Sequence, residues 1–260
     1  MQPNSNSRIL IIPDVHGRTF WRDAVEAAGE MPVVFLGDYL DPYPDEWISR
    51  QEAWDELQAI VALKKAQPER VTLLLGNHDL AYVNSALKGS RFDQRNARRN
   101  RAYFFENLAL FDMTFSLEMP GRPGPGSGPG SGPGPGRRYL LSHAGILPGW
   151  VSANERLFGA DDDIGDRLNE LLHDDSRRFP FMLALSDVSF IRGGIDLCGS
   201  PVWADVSEHA SDRFEWDGVY QIFGHSRMPE AVITPYWACL DCGRAFVLEA
   251  DKENDFLLTL

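Results

Sequence analysis

The feature that most constrains this chain is a short apolar strand that stops at a tight turn and delivers polar side chains, a pattern the sequence uses repeatedly. Its clearest instance is Val71–Asp79, V-T-L-L-L-G-N-H-D. The run Val71 to Leu75 suits a strand buried on both faces. Gly76 lets the backbone turn tightly, and Asn77, His78 and Asp79 then stand past the strand's C-terminal edge. Open α/β sheets place their ligands there. Taken alone, the tetrapeptide reads equally well as a polar turn, so its context decides.

The context is four further instances. Ile9–Ile12 ends in Pro13-Asp14-Val15-His16-Gly17, and extended alternation aims Asp14 and His16 to the same side. A carboxylate beside an imidazole suits Zn, Fe or Mn, although a helix cap by Asp14 is the plainer reading of that segment alone. Val33–Leu36 ends in Gly37-Asp38-Tyr39-Leu40-Asp41-Pro42. Tyr139–Leu141 ends in Ser142-His143-Ala144-Gly145, and Gly218–Phe223 ends in Gly224-His225-Ser226. Four of the six histidines sit at such ends, a concentration that core packing does not explain. Two or more carboxylates, an amide oxygen and four imidazoles are too many ligands for one tetrahedral zinc. They suit two metals ~3.5–4 Å apart sharing a carboxylate, the clamp used for in-line displacement at phosphorus.

Between these motifs the chain reads as strand, helix, strand, helix, strand. Thr19 is expected to cap a helix through about Ala28, and Asp45–Lys65 reads as a helix with Trp47, Ala53, Trp54, Leu57, Ile60, Val61 and Leu63 as core contacts. Lys88–Leu110 reads as a helix with Arg91, Arg95 and Arg98 on one face. The plainer reading of that face is a solvated one; the other is that one or two of its arginines reach an anionic substrate. Phe111–Leu117 fits a strand, and one helix is expected over Asp161–His173, with His173 at the surface. His209, in S-E-H-A-S-D, is also expected to be exposed. Four late strands, Val232–Thr234, Trp237–Asp241, Ala245–Glu249 and Phe256–Leu260, close an α/β (α+β mixed) fold: a two-sheet β-sandwich flanked by helices.

The Pro/Gly-rich stretch 120–136 holds nothing that could build a core and is read as a flexible surface loop joining two strands. Residues 1–260 are taken as one domain, because motifs on both sides of that loop must share a site. The charge of −13, from 25 basic and 38 acidic residues, argues against general nucleic-acid binding. It does not exclude an anionic substrate, since bound metals supply local positive charge. Cys239 and Cys242 form a lone C-x-x-C, read as ordinary sheet thiols. With no signal-like or membrane-length apolar run, the expectation is a cytoplasmic protein without membrane association.

In this order and spacing the five motifs resemble those of the calcineurin-like metallophosphoesterases, over most of Ile9 to Leu248 apart from the Pro/Gly loop and parts of 150–200. The tracts Gly37–Asp41, Val202-Trp203-Ala204-Asp205 and Cys239-Leu240-Asp241-Cys242-Gly243 look most similar to the phosphoprotein-phosphatase-like branch. The resemblance implies that Asp14 and His16 bind a first metal, that Asp38 bridges, and that Asn77, His143 and His225 bind a second. It implies that His78 protonates the leaving oxygen and that Asp41 orients it. Manganese, iron, zinc or cobalt would serve, with manganese favoured. The implied reaction is hydrolysis of a phosphomonoester, on a protein or small molecule, by a hydroxide bridging two divalent metals. Dinucleoside polyphosphate or phosphodiester hydrolysis is the alternative, and an inactive scaffold of the same fold is the non-enzymatic one. One departure stands out. Where the family places an Arg-Gly pair after the second Asp, this chain has Pro42-Tyr43. Arg192, in its R-G-G turn, is the expected replacement as a substrate-binding residue, ahead of Arg213 or an arginine of 91–101.

Overall fold

A computed structural model describes residues 8–84, 87, 89–121, 134–160, 162–211, 218–250 and 255–259. The chain enters through β1 (Arg8–Ile12), α1 (Phe20–Ala27), β2 (Val33–Phe35), α2 (Arg50–Ala66) and β3 (Val71–Leu74). Helices α3 (Asn77–Val83) and α4 (Ala97–Asn107) follow, then β4 (Phe111–Asp112), β5 (Thr114–Gly121) and β6 (Gly134–Ser142). Helices α5 (Pro148–Ala153), α6 (Ile164–His173), α7 (Arg178–Ala184) and α8 (Val206–Ser211) precede β7 (Val219–Phe223), β8 (Val232–Ile233), β9 (Trp237–Cys239), β10 (Phe246–Ala250) and β11 (Asp255–Thr259). One sheet runs β11-β10-β1-β2-β3-β4, with β1 to β4 mutually parallel; the other runs β5-β6-β7-β9-β8, with β6, β7 and β9 parallel.

The two-residue period of a strand explains why the early runs are apolar throughout. Ile9, Ile11, Val34 and Leu74 face Tyr139, Leu141, Tyr220 and Ile222 between the sheets. Leu10, Ile12, Val33, Phe35 and Leu73 face the other way, into a core that includes Trp21, Trp54, Leu57 and Ile60 of the helices. The result is the mixed α/β sandwich with flanking helices that the sequence predicts. Among the described residues no helix is long and apolar enough to cross a membrane.

Several boundaries differ from the sequence reading, each for a local reason. Phe111–Leu117 is not one strand: β4 ends the first sheet and β5 begins the second. The switch falls at Met113, whose N–H, with that of Thr114, donates to Asn169 Oδ1 at 2.8 and 3.0 Å. A side chain has there taken ladder donors out of the strand. Helix α2 starts at Arg50 rather than Asp45, because Ser49 and Glu52 form a reciprocal capping box. Upstream, Pro44–Glu46 is a short 3-10 turn that leaves Trp47 in a left-handed conformation and 93% exposed, not in the core. The helix expected over Lys88–Leu110 shrinks to α4, and Arg91 lies in the preceding loop with φ 61°. Lys88 and Arg213 lie outside the described residues, as do 122–133 of the Pro/Gly stretch, whose flanks pair as β5 and β6. Thr19 stands at the start of α1 without a side-chain capping bond.

His173 is at the surface as expected, 3.3 Å from Asp112. His209 is not: it is buried, lies flat on Phe223 at 4.4 Å, and its Nε2 donates to the Ala144 carbonyl at 2.9 Å. Polar neighbours in sequence misled there, because Glu208 beside it is also buried and satisfied, accepting from Ser189 Oγ, Gly199 N and Asp205 N.

Candidate active site

The C-terminal ends of β1, β2, β3, β6 and β7 converge, so motifs up to 211 residues apart meet: His225 N donates to Asp14 Oδ1 at 2.8 Å. All eight residues expected at the metal and acid positions, Asp14, His16, Asp38, Asp41, Asn77, His78, His143 and His225, are buried in that place. The backbone is bent to bring them in. His16, Asp38, Asp41 and His225 take left-handed φ of 46°, 54°, 59° and 65°, a conformation that costs a non-glycine residue energy and is kept where the surroundings impose it. Gly76 and Gly224 are required for approach: a Cβ on Gly76 would strike Asp38 Oδ1, and one on Gly224 would strike Asp14 Oδ1.

Two nests of ligand atoms share one oxygen. Asp38 Oδ2 lies 3.5 Å from His16 Nε2 and 3.6 Å from His143 Nε2. On one side Asp14 Oδ2 is 3.9 Å from His16 Nε2 and is buried with no hydrogen-bond partner. On the other, His143 Nε2, His225 Nδ1 and Asn77 Oδ1 form a triangle with sides of 3.0, 3.1 and 3.1 Å. Proton bookkeeping shows what this triangle wants. His143 Nδ1 faces the Leu36 carbonyl at 2.9 Å, and a carbonyl only accepts, so Nδ1 carries hydrogen and the neutral form of the ring turns a lone pair inward at Nε2. His16 is fixed in the same sense by the Leu40 carbonyl at 2.7 Å. At most one proton, on His225 Nδ1, can be shared around the triangle. Lone pairs so placed beside a carboxylate repel one another unless a cation sits among them. This donor set of imidazole nitrogens, carboxylate and amide oxygens fits divalent Mn, Fe, Zn or Co.

Electrostatics prepare the same ligands. Burial would raise Asp38, but the His143, His78 and His16 rings, whenever they carry charge, and the His78 backbone N–H overcome it and hold the carboxyl down at about 2. Burial keeps His16 and His225 well below the usual histidine range, so both are neutral, the form that binds metal. Burial, aided by the Asp38 charge, raises Asp14.

His78 sits beside the nests: one of its ring nitrogens lies within 4.8 Å of a ring nitrogen of His16 and of a carboxylate oxygen of Asp38. Its Nδ1 is 2.9 Å from Asp41 Oδ2, and Asp41 Oδ1 accepts from Tyr82 O–H at 2.6 Å. A ring tied at Nδ1 to a carboxylate presents Nε2 to the cleft, where it can carry a proton to or from a bound group. Arg192, in the R-G-G turn, pairs with Asp205 at 2.8 Å and donates to Ser226 Oγ at 2.6 Å beside His225.

Three neighbours are given no role by the sequence reading. Asp79, inside the G-N-H-D motif, is buried and accepts from Asp38 N, Gly76 N and Tyr39 N at 2.7, 2.9 and 3.1 Å, so it holds the β2 and β3 turns together. Tyr82 lies four residues after His78 on α3, a spacing that puts both on one face and could have flagged it. Tyr43, where an Arg-Gly pair was missed, packs edge-on against His16 at 4.9 Å.

Comparison with known proteins bears on this geometry. A family model described as calcineurin-like phosphoesterase matches residues 7–227. Among solved structures, a cold-active protein tyrosine phosphatase is similar with a TM-score of 0.51 at 16% identity, over 93% of this chain and 73% of that one. A protein serine/threonine phosphatase from Saccharomyces cerevisiae, with similarity to human phosphatase PP5, gives a TM-score of 0.49 at 13% identity, over 99% and 80% of the two chains. No curated protein matches. At these identities the structural likeness concerns the fold.

Proposed function

The chain belongs to the calcineurin-like phosphoesterase family of metal-dependent hydrolases, and from that premise we propose that it hydrolyses a phosphomonoester, on a protein or a small molecule, at a dinuclear metal centre. The observation that carries the reading is Asp38 Oδ2, equidistant within 0.1 Å from the imidazoles of two separate nests at 3.5 and 3.6 Å. In this reading Asp14, His16 and Asp38 hold one divalent cation, and Asp38, Asn77, His143 and His225 hold the other, with manganese favoured. Bound there, the cations supply Lewis acidity to the phosphoryl oxygens and lower the pKa of the attacking water.

The chain's own groups do the rest. Asp41 holds His78 by Nδ1 and aims Nε2 into the cleft, so His78 can give its proton to the departing oxygen. The Tyr82 hydroxyl, donating to the other Asp41 oxygen, keeps that carboxylate from turning away. Arg192, bonded to Ser226 beside His225, would meet substrate oxygens if its pair with Asp205 opened.

The test is hydrolysis of a panel by manganese-reconstituted protein: p-nitrophenyl phosphate, its bis ester, phosphopeptides and dinucleoside polyphosphates. The reading expects monoesters to be cleaved best. Preferential cleavage of the bis ester or the dinucleotides would replace it with the diesterase alternative, and no turnover on any would leave an inactive scaffold.

A further inference from the structure

Among the described residues, Arg18, Arg50, Arg192 and Arg227 near the cleft are each paired with a carboxylate. Arg18 forks onto Glu46 with two contacts of 2.8 Å, Arg227 pairs with Asp45 and Glu46 at 3.4 and 3.0 Å, Arg192 with Asp205 at 2.8 Å, and Arg50 with Asp41 at 3.5 Å. Arg91 differs. Among the described residues no carboxylate lies within ion-pair distance of it. Its Nη2 instead donates toward His78 Nε2 at 3.2 Å and His16 Nε2 at 3.4 Å, at the centre of the site. The guanidinium is held in that position. Its carbon lies 3.8 Å from the centre of the Tyr43 ring, its Nε donates to the Asp41 carbonyl at 3.0 Å, and its backbone is left-handed. An aromatic platform beneath a planar cation fixes it at little entropic cost.

We propose that Arg91, laid on Tyr43, is the anion anchor of this cleft and selects terminal phosphate monoesters over internal phosphodiesters. The proposal rests on the phosphoesterase reading above and specifies its substrate class. A guanidinium held between two imidazoles, with no carboxylate partner among the described residues, is completed by an anion, which takes over its N–H bonds. The oxygen count then discriminates. A monoester dianion has three non-ester oxygens, so two can face the two nests and the third can face Arg91. A diester monoanion has two, and an ester carbon stands where Arg91 would bind. The platform supplied by Tyr43 thus takes the place of the Arg-Gly pair absent at Pro42-Tyr43.

The experiment measures binding of inorganic phosphate by calorimetry, and separately kcat and KM for p-nitrophenyl phosphate and bis-p-nitrophenyl phosphate. Wild type, Arg91→Ala, Arg91→Lys, Tyr43→Leu and Arg95→Ala are compared, the last at an exposed position. Loss of one charge-assisted contact predicts phosphate binding weaker by roughly tenfold to a hundredfold in Arg91→Ala. The monoester KM should rise in step, while kcat/KM for the diester changes by less than about threefold, because a diester has no third free oxygen for Arg91 to hold. Arg91→Lys should recover part of the affinity, Tyr43→Leu should lose part of it, and Arg95→Ala should match wild type. Wild-type phosphate affinity in Arg91→Ala, or equal losses on monoester and diester, overturns the assignment. Wild-type protein that neither binds phosphate nor cleaves either ester overturns the phosphoesterase reading beneath it.

Discussion

Replacing Asp79 by Asn tests how the site is held together. The side chain keeps its size, but one of its two accepting oxygens becomes a donor. Asp79 Oδ2 accepts from Asp38 N and Gly76 N, and Oδ1 from Tyr39 N. The cheapest amide orientation keeps oxygen on the first pair and points NH2 at the Tyr39 N–H. One buried donor left unmade costs ~1–3 kcal/mol, and two bonds weakened from charge-assisted to neutral lose roughly 0.5 kcal/mol each. Against this, burial and the Asp38 charge push Asp79 well above the ordinary carboxylate range, so removing its charge relieves desolvation and repulsion. The unmade bond is the larger effect, and the net cost should be about 2 kcal/mol. With an m value of about 3 kcal/mol/M, the urea midpoint followed by tryptophan fluorescence should fall by roughly 0.7 M without a change in m. The same bonds sustain the left-handed backbone of Asp38, so manganese affinity should fall ~10–100-fold, as for other supports of metal ligands. A variant as stable as wild type, with undiminished metal affinity, would refute the claim that Asp79 fixes Asp38.

Other outcomes are expected along the same lines. Gly224→Ala places a methyl against Asp14 Oδ1, so it should lower metal affinity at least about tenfold by titration while far-UV circular dichroism stays native; unchanged affinity would show that the two turns do not need this approach. His78→Ala should cut turnover of an alkyl phosphate by ~10²–10⁴ but that of p-nitrophenyl phosphate much less, since nitrophenolate needs little protonation, and equal losses would remove His78 from the acid role. His209, held down to about 4 by burial from a usual 6.5, binds its proton in the unfolded chain first as pH falls. Its share of stability, roughly 3 kcal/mol, is therefore present above pH 6.5 and lost as pH drops toward 4. Urea melts at pH 7 and pH 4.5 should show a smaller acid loss for His209→Phe than for wild type; equal losses would mean that His209 titrates normally.

How much was legible beforehand depended on range. The five strand-end motifs were readable because each is continuous: an apolar run, a turn, then ligands. Convergence followed from parallel β1 to β3, whose ends point one way. Helix boundaries were less readable. Trp47 is apolar, yet the Ser49–Glu52 capping box begins α2 beyond it, and that signal was present in the sequence. Arg91 looked like part of a helical face because Arg95 and Arg98 follow at helical spacing, but its left-handed backbone belongs to a loop. The burial of His209 and the division of Phe111–Leu117 were not readable at all. They depend on Ala144, 65 residues away, and on Asn169, 56 residues away. Asp79 lay in plain view inside its motif, but no local pattern says that its oxygens serve the turn after β2, some 40 residues earlier.

The account turns on Asp38 joining two cation sites. Equilibrium dialysis of purified protein against manganese, followed by elemental analysis, measures this directly. Two ions per chain are expected for wild type, one for Asn77→Ala, and neither tightly held for Asp38→Ala. A wild-type stoichiometry of one or none, or two ions retained without Asp38, would contradict it.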